Sequence, residues 1–496
     1  MKQGWRKGPD LITHLGKWLH RLGLALGLVL LSVLSVRAYD AWRAPPLKLW
    51  HTFVPAELDA NAIDAADWAA WLEAENKAFD AVRKDVTDKL PAEDRIDTNR
   101  FFAGSPMHAA KFTIDWNRSY VFMPDGEPRG AVVLLHGLTD SPYSLRHIAA
   151  RYRELGFVAV GIRMPGHGTV PGALTAVRWK DWSAATRLAV RRARELAGAD
   201  KPLHVVGYSN GGALALQYAL DALDDTKLAR PDQLVLISPM IGITSMARFA
   251  GVLGWPAVFP AFAKAAWLDV VPEYNPFKYN SFPVNGARQS SQLVRAVESQ
   301  IAAKLAAGRL AKLPPVLTFQ STLDATVSTR AVFDTLYAKL PGKRHEIVLF
   351  DRDRLAEVSS IVRPELSNVV PEVVPVGPRD YTLTVVTNAP GSLGMLGAIE
   401  AQAIDDQWRV ISSTSLNDRY PPGMYSLSHV ALPFPADDAL YGYLPSAEDF
   451  GVRLGTVAMR GERGTLIVNA ETLMRASCNP FFDYLSQRIT GTITAR

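Results

Sequence analysis

The stretch that most constrains this chain is Leu203 to Leu223, LHVVGYSNGGALALQYALDAL. A short apolar run leads into Gly207-Tyr208-Ser209-Asn210-Gly211, and an Ala/Leu-rich segment with helical spacing follows. The pattern predicts strand, sharp turn and helix, with a serine at the apex. Such a turn strains the serine backbone and leaves no room for a Cβ at the flanking positions, which explains the glycines. It lifts the hydroxyl clear of a sheet and aims the next backbone N–H, that of Asn210, toward a carbonyl under attack. The bland alternative is a glycine-rich turn that only packs a helix on a sheet.

The surrounding chain alternates in the same way. Gly130–Leu135 and Phe157–Ile162 are apolar runs of the buried parallel kind, and Gln233–Ser238 and Pro315–Phe319 read as further strands. Helical patterns separate them, at Leu145–Leu155 and from Trp179 through Ala197. The alternation predicts an α/β fold with a doubly wound, mostly parallel sheet. Phe112–Met123 suggests one or two further strands. Asp64–Leu90 reads as an amphipathic helix, with Trp68, Trp71, Leu72, Phe79, Val82 and Val86 on one stripe that docks on the body.

Charge is informative only at the start. The net charge of +5 is carried entirely by residues 1–37, so the rest of the 496-residue chain is neutral. A nucleic-acid partner is therefore not expected. Leu22–Val36 is uncharged and mostly apolar behind those basic residues, the pattern of a signal peptide or signal anchor. Fifteen residues are short for a span, and Val36 and Ala38 suit cleavage before Tyr39. The long basic region favours a retained anchor in a bacterial inner membrane, its body facing the periplasm. Cleavage would export the body to the periplasm, and a buried helix would leave it inside the cell. The single Cys478 excludes an internal disulfide and a cysteine metal cluster.

These features divide the chain. Residues 1–43 form the signal segment, and 44–129 a linker, helix and leading strands. Residues 130–240 and 315–350 make the core, interrupted by an aromatic-rich stretch, 241–314, too long for a simple crossover. That stretch reads as a helical cap, with Phe249, Trp255, Phe259, Phe262, Trp267, Tyr274, Phe277, Tyr279 and Phe282 to line an acyl or aryl pocket. An ordinary insertion with its own small core is the alternative. Residues 351–422 are an insertion containing a strand-like Tyr381–Thr387, either an edge hairpin or an added lobe. Residues 423–496 close the core, ending in a helix at Asn479–Ile489.

Across roughly Gly130 to Arg488 the chain resembles the α/β-hydrolase family, most of all bacterial carboxylesterases and monoacylglycerol-lipase-like serine hydrolases. The resemblance is carried by His136-Gly137-Leu138, Pro165-Gly166-His167-Gly168, the pentad around Ser209, and the segments with Asp324 and Ser428-His429. It implies an acyl-enzyme mechanism on carboxylic esters, small-molecule or lipid, without metal or organic cofactor. An amidase or peptidase would use the same triad, and a membrane-tethered lipid-binding protein could use the same scaffold.

In this fold the order is serine, then acid, then histidine. Two histidines follow a plausible acid. His345 opens a strand, at the wrong edge of the sheet, because sites of open α/β sheets lie at the carboxyl ends. His429 sits in a loop and is the expected base. Asp324 follows the strand at Val316–Gln320 at the right edge and is the expected acid. Asp351 and Asp353 are the runners-up, and Asp334 falls inside a helix. Asp324 is also consistent with a residue that merely starts the helix Val327–Leu340. The expected oxyanion donors are the N–H groups of Asn210 and, by the resemblance, Leu138. His136 and His167 read as structural parts of glycine-rich turns. The 105 positions between Asp324 and His429 are more than the family usually has, and the excess is the insertion.

Overall fold

A computed structural model describes residues 11–242, 260–366, 368–375, 379–388, 396–404, 407–416, 418–457 and 465–494. The chain builds its main sheet from ten strands: β1 Tyr120–Phe122, β2 Gly130–Leu135, β3 Phe157–Ile162, β4 Leu203–Tyr208, β5 Gln233–Ile237, β8 Val316–Ser321, β9 His345–Phe350, β10 Tyr381–Asn388, β11 Leu396–Ile404 and β12 Gln407–Leu416. Between β5 and β8 a small separate ladder pairs β6, Trp267–Asp269, with β7, Phe282–Pro283. The order across the main sheet is β1-β3-β2-β4-β5-β8-β9-β10-β11-β12. From β3 to β10 every neighbour is parallel. The edges are antiparallel, β1 on one side and the pair β11 and β12 on the other.

Why these runs become central strands is visible in their burial. In β2, β3, β4, β5 and β8 every residue is buried, as a sheet covered on both faces requires. Successive side chains point to opposite faces. Val133 and Leu135 join the layer of helices Trp179–Ala197, Asn210–Asp221 and Val284–Ala306. Val132 and Leu134 join the layer of helices Arg146–Glu154 and Phe482–Thr494. This is the doubly wound α/β arrangement that the alternation predicts.

Several expectations change in detail. Of Phe112–Met123 only Tyr120–Phe122 is a strand. The helix expected at Asp64–Leu90 runs from Trp68 to Asp85, started by Asp67, whose carboxylate accepts the Ala70 N–H at 2.8 Å. It does dock on the body, with Trp71 and Val82 buried. Val327–Leu340 is a shorter helix, Thr329–Thr335, followed by a 3-10 turn. The insertion is not a lobe apart: β10 pairs in parallel with β9 and continues the main sheet.

Within the 241–314 stretch, Phe249, Trp255 and Phe259 lie outside the described residues. Of the aromatics that are described, Phe277 does not line a pocket. It stacks on Tyr143 at 4.1 Å and meets Phe450 edge-on, inside a core of its own. The N-terminal helix spans Leu11–Arg43, and its Lys17–Val36 portion is long and apolar enough to cross a membrane.

Candidate active site

The turn at Ser209 is built as a strained joint. β4 ends at Tyr208, and the helix Asn210–Asp221 begins one residue after Ser209. Ser209 sits at φ 54° and ψ −117°, a conformation that an L-residue holds only when its surroundings insist. They do: the Ser209 N–H donates to Ile237 O at 2.9 Å, and its carbonyl accepts from Met240 N at 2.9 Å. The two flanking glycines are obligatory. A Cβ on Gly207 would lie 2.3 Å from Gly211 O, and one on Gly211 would lie 1.9 Å from Leu135 O.

Ser209, His429 and Asp324 form one hydrogen-bonded chain. Ser209 Oγ is 2.9 Å from His429 Nε2, and His429 Nδ1 is 2.7 Å from Asp324 Oδ2. All three side chains are enclosed, the Asp324 carboxylate completely. Three further donors hold that carboxylate. The Thr326 and Val327 N–H groups reach Oδ1 at 2.8 and 2.9 Å, and Gln320 Nε2 reaches Oδ2 at 3.1 Å. Burial pushes the Asp324 pKa up, but His429 and these backbone donors outweigh it and hold the carboxyl below its ordinary value. An ionised acid on Nδ1 keeps the Nδ1–H tautomer, so Nε2 faces the serine as an acceptor.

His429 lies on a loop that is anchored at several points. Ser321 Oγ, at the end of β8, donates to Leu427 O at 2.7 Å. Tyr208 Oη donates to His429 O at 3.3 Å, and the two rings lie 5.6 Å apart. Ser428 Oγ donates to Arg475 O at 2.7 Å. None of these anchors stood out in the sequence. Tyr208 was visible inside the pentad, but its partner is 221 positions away.

The other candidates are engaged elsewhere. His345 lies at the opposite end of β9, with Nδ1 accepting from Val316 N at 3.3 Å, and burial lowers its pKa to about 4. Asp351 binds Arg354 and Thr387, Asp353 binds Asn388, and Asp334 pairs with Arg330 on its own helix. His136 accepts the Met164 N–H on Nε2 at 3.0 Å, which leaves Nδ1–H to donate to Gly137 O at 2.9 Å. Both nitrogens are occupied, and burial drops its pKa to about 4, so it is a fixed neutral brace. His167 Nδ1–H donates to Pro165 O at 3.1 Å, and its ring stands beside that of His136. Leu138 follows directly from this braced turn, partly buried against the core. The Asn210 side chain accepts from Ser290 Oγ at 2.8 Å, while its N–H is one of the first of its helix, groups that have no intrahelical carbonyl to bond.

Residues 126–353 match the family described as serine aminopeptidase, S33. The match covers less than half of the 496-residue chain. The sheet and its turn at Ser209 have the α/β-hydrolase fold. The matched segment contains Ser209 and Asp324 but stops before His429. Among curated relatives, the thermostable monoacylglycerol lipase of Bacillus sp. strain H-257 is 31% identical over 98 residues, 20% of this chain and 38% of the relative. A monoacylglycerol lipase of Mycolicibacterium smegmatis is 32% identical over 103 residues, 20% and 35% of the two chains. The chain thus spans little more than a third of the relatives it matches. A solved structure of metagenome-derived lipolytic enzymes is similar at TM-score 0.38 and 20% identity, over 50% of this chain and 95% of that one.

Proposed function

We propose that this α/β-hydrolase cleaves carboxylic esters through an acyl-enzyme, with Ser209 as nucleophile, His429 as general base and acid, and Asp324 as the orienting carboxylate. The observation that carries the reading is the continuous chain Ser209 Oγ, His429, Asp324 at 2.9 and 2.7 Å. A serine hydroxyl attacks only when a base takes its proton, and Nε2 is within reach of that proton. Ser209 Oγ adds to the ester carbonyl carbon while the proton passes to Nε2. The N–H groups of Asn210 and Leu138 stabilise the resulting oxyanion, each worth ~2.7–4 kcal/mol. The tetrahedral intermediate collapses, the C–O bond to the alcohol breaks, and His429 returns the proton to the leaving oxygen. Water then repeats the sequence on the acyl-enzyme and releases the acid. The names of the two monoacylglycerol lipase relatives support an acylglycerol-type ester as substrate.

Labelling with a fluorophosphonate probe tests the reading. Wild type is expected to label, and Ser209→Ala and His429→Ala are not. Labelling that survives His429→Ala would move the base elsewhere. A wild type that neither labels nor turns over p-nitrophenyl butyrate would leave a binding protein on a hydrolase scaffold.

The span Lys17–Val36 supports an N-terminal membrane anchor, with the body outside the cytoplasm. The full chain is then expected to resist alkaline carbonate extraction and to be protease-accessible in spheroplasts. Release into the soluble fraction would overturn the anchor.

A further inference from the structure

The cleft beside the triad is polar. A cavity of about 260 Å³ is lined among others by Tyr274, Asn275, Lys278, Tyr279, Tyr441 and Arg475. Val430, the neighbour of His429, is part of its wall. Two other walls lead back to the same centre. The Tyr279 N–H donates to Thr139 O at 2.7 Å, tying the cleft to the loop that carries Leu138. Arg475 accepts from Ser428 Oγ on its carbonyl, and its guanidinium donates to Thr326 Oγ1 at 2.7 Å, two residues past Asp324. Whatever fills this cavity therefore lies against the loops that hold Ser209's partners.

The floor is fixed. Asn275 Nδ2 donates to Tyr441 Oη at 2.7 Å, and Asn275 Oδ1 accepts from Phe277 N at 3.0 Å. The cations are left over. Lys278 is half-buried, and among the described residues neither its ammonium nor the Arg475 guanidinium forms an ion pair. Burial lowers the Lys278 pKa, Asp140 opposes that shift, and the like charge of Arg475 adds to it. Two carboxylates belong to this surrounding. Asp140 is buried behind the cleft, with Oδ2 lacking a hydrogen-bond partner among the described residues. Glu471 is exposed at the rim. Asp140 attracts Lys278 through space, but among the described residues neither carboxylate forms an ion pair with it. An enclosed ammonium without a bonded anion is costly, and the cleft has room for one.

We infer that this cleft receives an anionic group of the substrate, a carboxylate or a phosphate monoester, with Lys278 as its main contact and Arg475 closing on it from the rim. This rests on the ester-hydrolase reading and specifies its substrate: an ester that carries a negative charge close to the scissile bond. Ammonium supplies a point charge, and guanidinium a planar fork that fits either anion.

The experiment compares matched pairs of esters. On the acyl side the pair is p-nitrophenyl butyrate and p-nitrophenyl hemisuccinate. On the alcohol side it is 1-butyrylglycerol and 1-butyrylglycerol-3-phosphate. At least one anionic member is expected to exceed its neutral partner in kcat/KM by roughly tenfold or more, and the pair that does so tells which side of the ester faces the cleft. Lys278→Met is expected to abolish that preference through KM of the anionic member, Lys278→Arg to keep most of it, and Arg475→Met to remove a smaller part. Equal or lower kcat/KM for both anionic members, in a protein that labels with fluorophosphonate and turns over the neutral esters, overturns the inference and leaves the hydrolase reading intact. A preference that persists in both Met variants overturns it as well. A wild type that fails to label and to cleave the neutral esters fails at the earlier reading instead.

Discussion

Two parts of the molecule contribute the proposed triad, and they are held by different means. Ser209 and Asp324 stand at the ends of β4 and β8, neighbours across β5 in the sheet. Backbone geometry holds them: a strained turn closed by main-chain bonds for the serine, and two backbone N–H groups for the aspartate. His429 arrives on a loop after the added strands β10 to β12, held by the side chains of Ser321, Tyr208 and Ser428. The lesson is a division of labour. Main-chain positioning tolerates changes in nearby side chains, whereas side-chain positioning makes the base the adjustable member of the triad.

The sharpest test of that division is to remove each side in turn. Ser209→Ala and His429→Ala are each expected to lower kcat on a p-nitrophenyl ester by on the order of 10⁶-fold, and the double variant by scarcely more, because the groups act as a unit. Additive losses would show that the loop and the sheet edge do not work together. Asp324→Asn is expected to cost about 10⁴-fold, since an amide cannot hold the Nδ1–H tautomer in the same way. Its pH behaviour has a definite sign. The folded Asp324 has a depressed pKa, so its contribution to stability is present above the ordinary carboxylate range. That contribution is lost as pH falls through the depressed value. Thermal melts of wild type between neutral and acid pH should show this loss, and melts of Asp324→Asn should lack that part of it.

A third lever lies outside the triad, where the N-terminal segment meets the sheet. Arg163 is almost fully buried and bridges Glu57, at 2.8 and 2.9 Å, and Glu75, at 3.0 Å. Glu57 also accepts the Gly166 N–H, and Arg163 donates to His167 O. Residues before 126, outside the matched family segment, thus brace the turn beside His136. Arg163→Met leaves the buried Glu75 and the partly buried Glu57 without their cation and is expected to destabilise the fold by ~3–5 kcal/mol, read as a lowered Tm. If fluorophosphonate labelling at low temperature fell as far as in His429→Ala, the network would belong to the site itself and not to its support.

What could be read from the sequence follows the same division. The parallel strands were legible because each is a short, mostly apolar run, and Ser209 because its turn is encoded within five residues. Asp324 needed only one more step, its place past a strand end. His429 was reached by chain order, since a contact across 220 positions leaves no local trace. Tyr381–Thr387 was recognisable as a strand, but an apolar run does not state its partner, so its place beside β9 was not. Phe277 read as a pocket residue because aromaticity alone does not distinguish a cleft from a core. Nothing local in the sequence marks Arg163, Glu57 and Glu75 as partners, and only the fold brings them together.

The smallest effect is the most direct probe of how the base is held. Tyr208 belongs to the nucleophile pentad, yet its buried hydroxyl donates to the carbonyl of His429. It is a direct bond between the two halves of the site. Tyr208→Phe removes that bond and little else, at a cost of about 0.5–1.5 kcal/mol, which is at most about tenfold in kcat if all of it falls on the position of the imidazole. Ser321→Ala removes the shorter bond to Leu427 O and should be at least as costly. If Tyr208→Phe lowers kcat while Ser321→Ala lowers only Tm, the tyrosine sets the geometry of the base and the serine only fastens its loop. If both lower Tm and leave kcat untouched, His429 is oriented by Asp324 alone, and the adjustable member of the triad is less adjustable than its loop suggests.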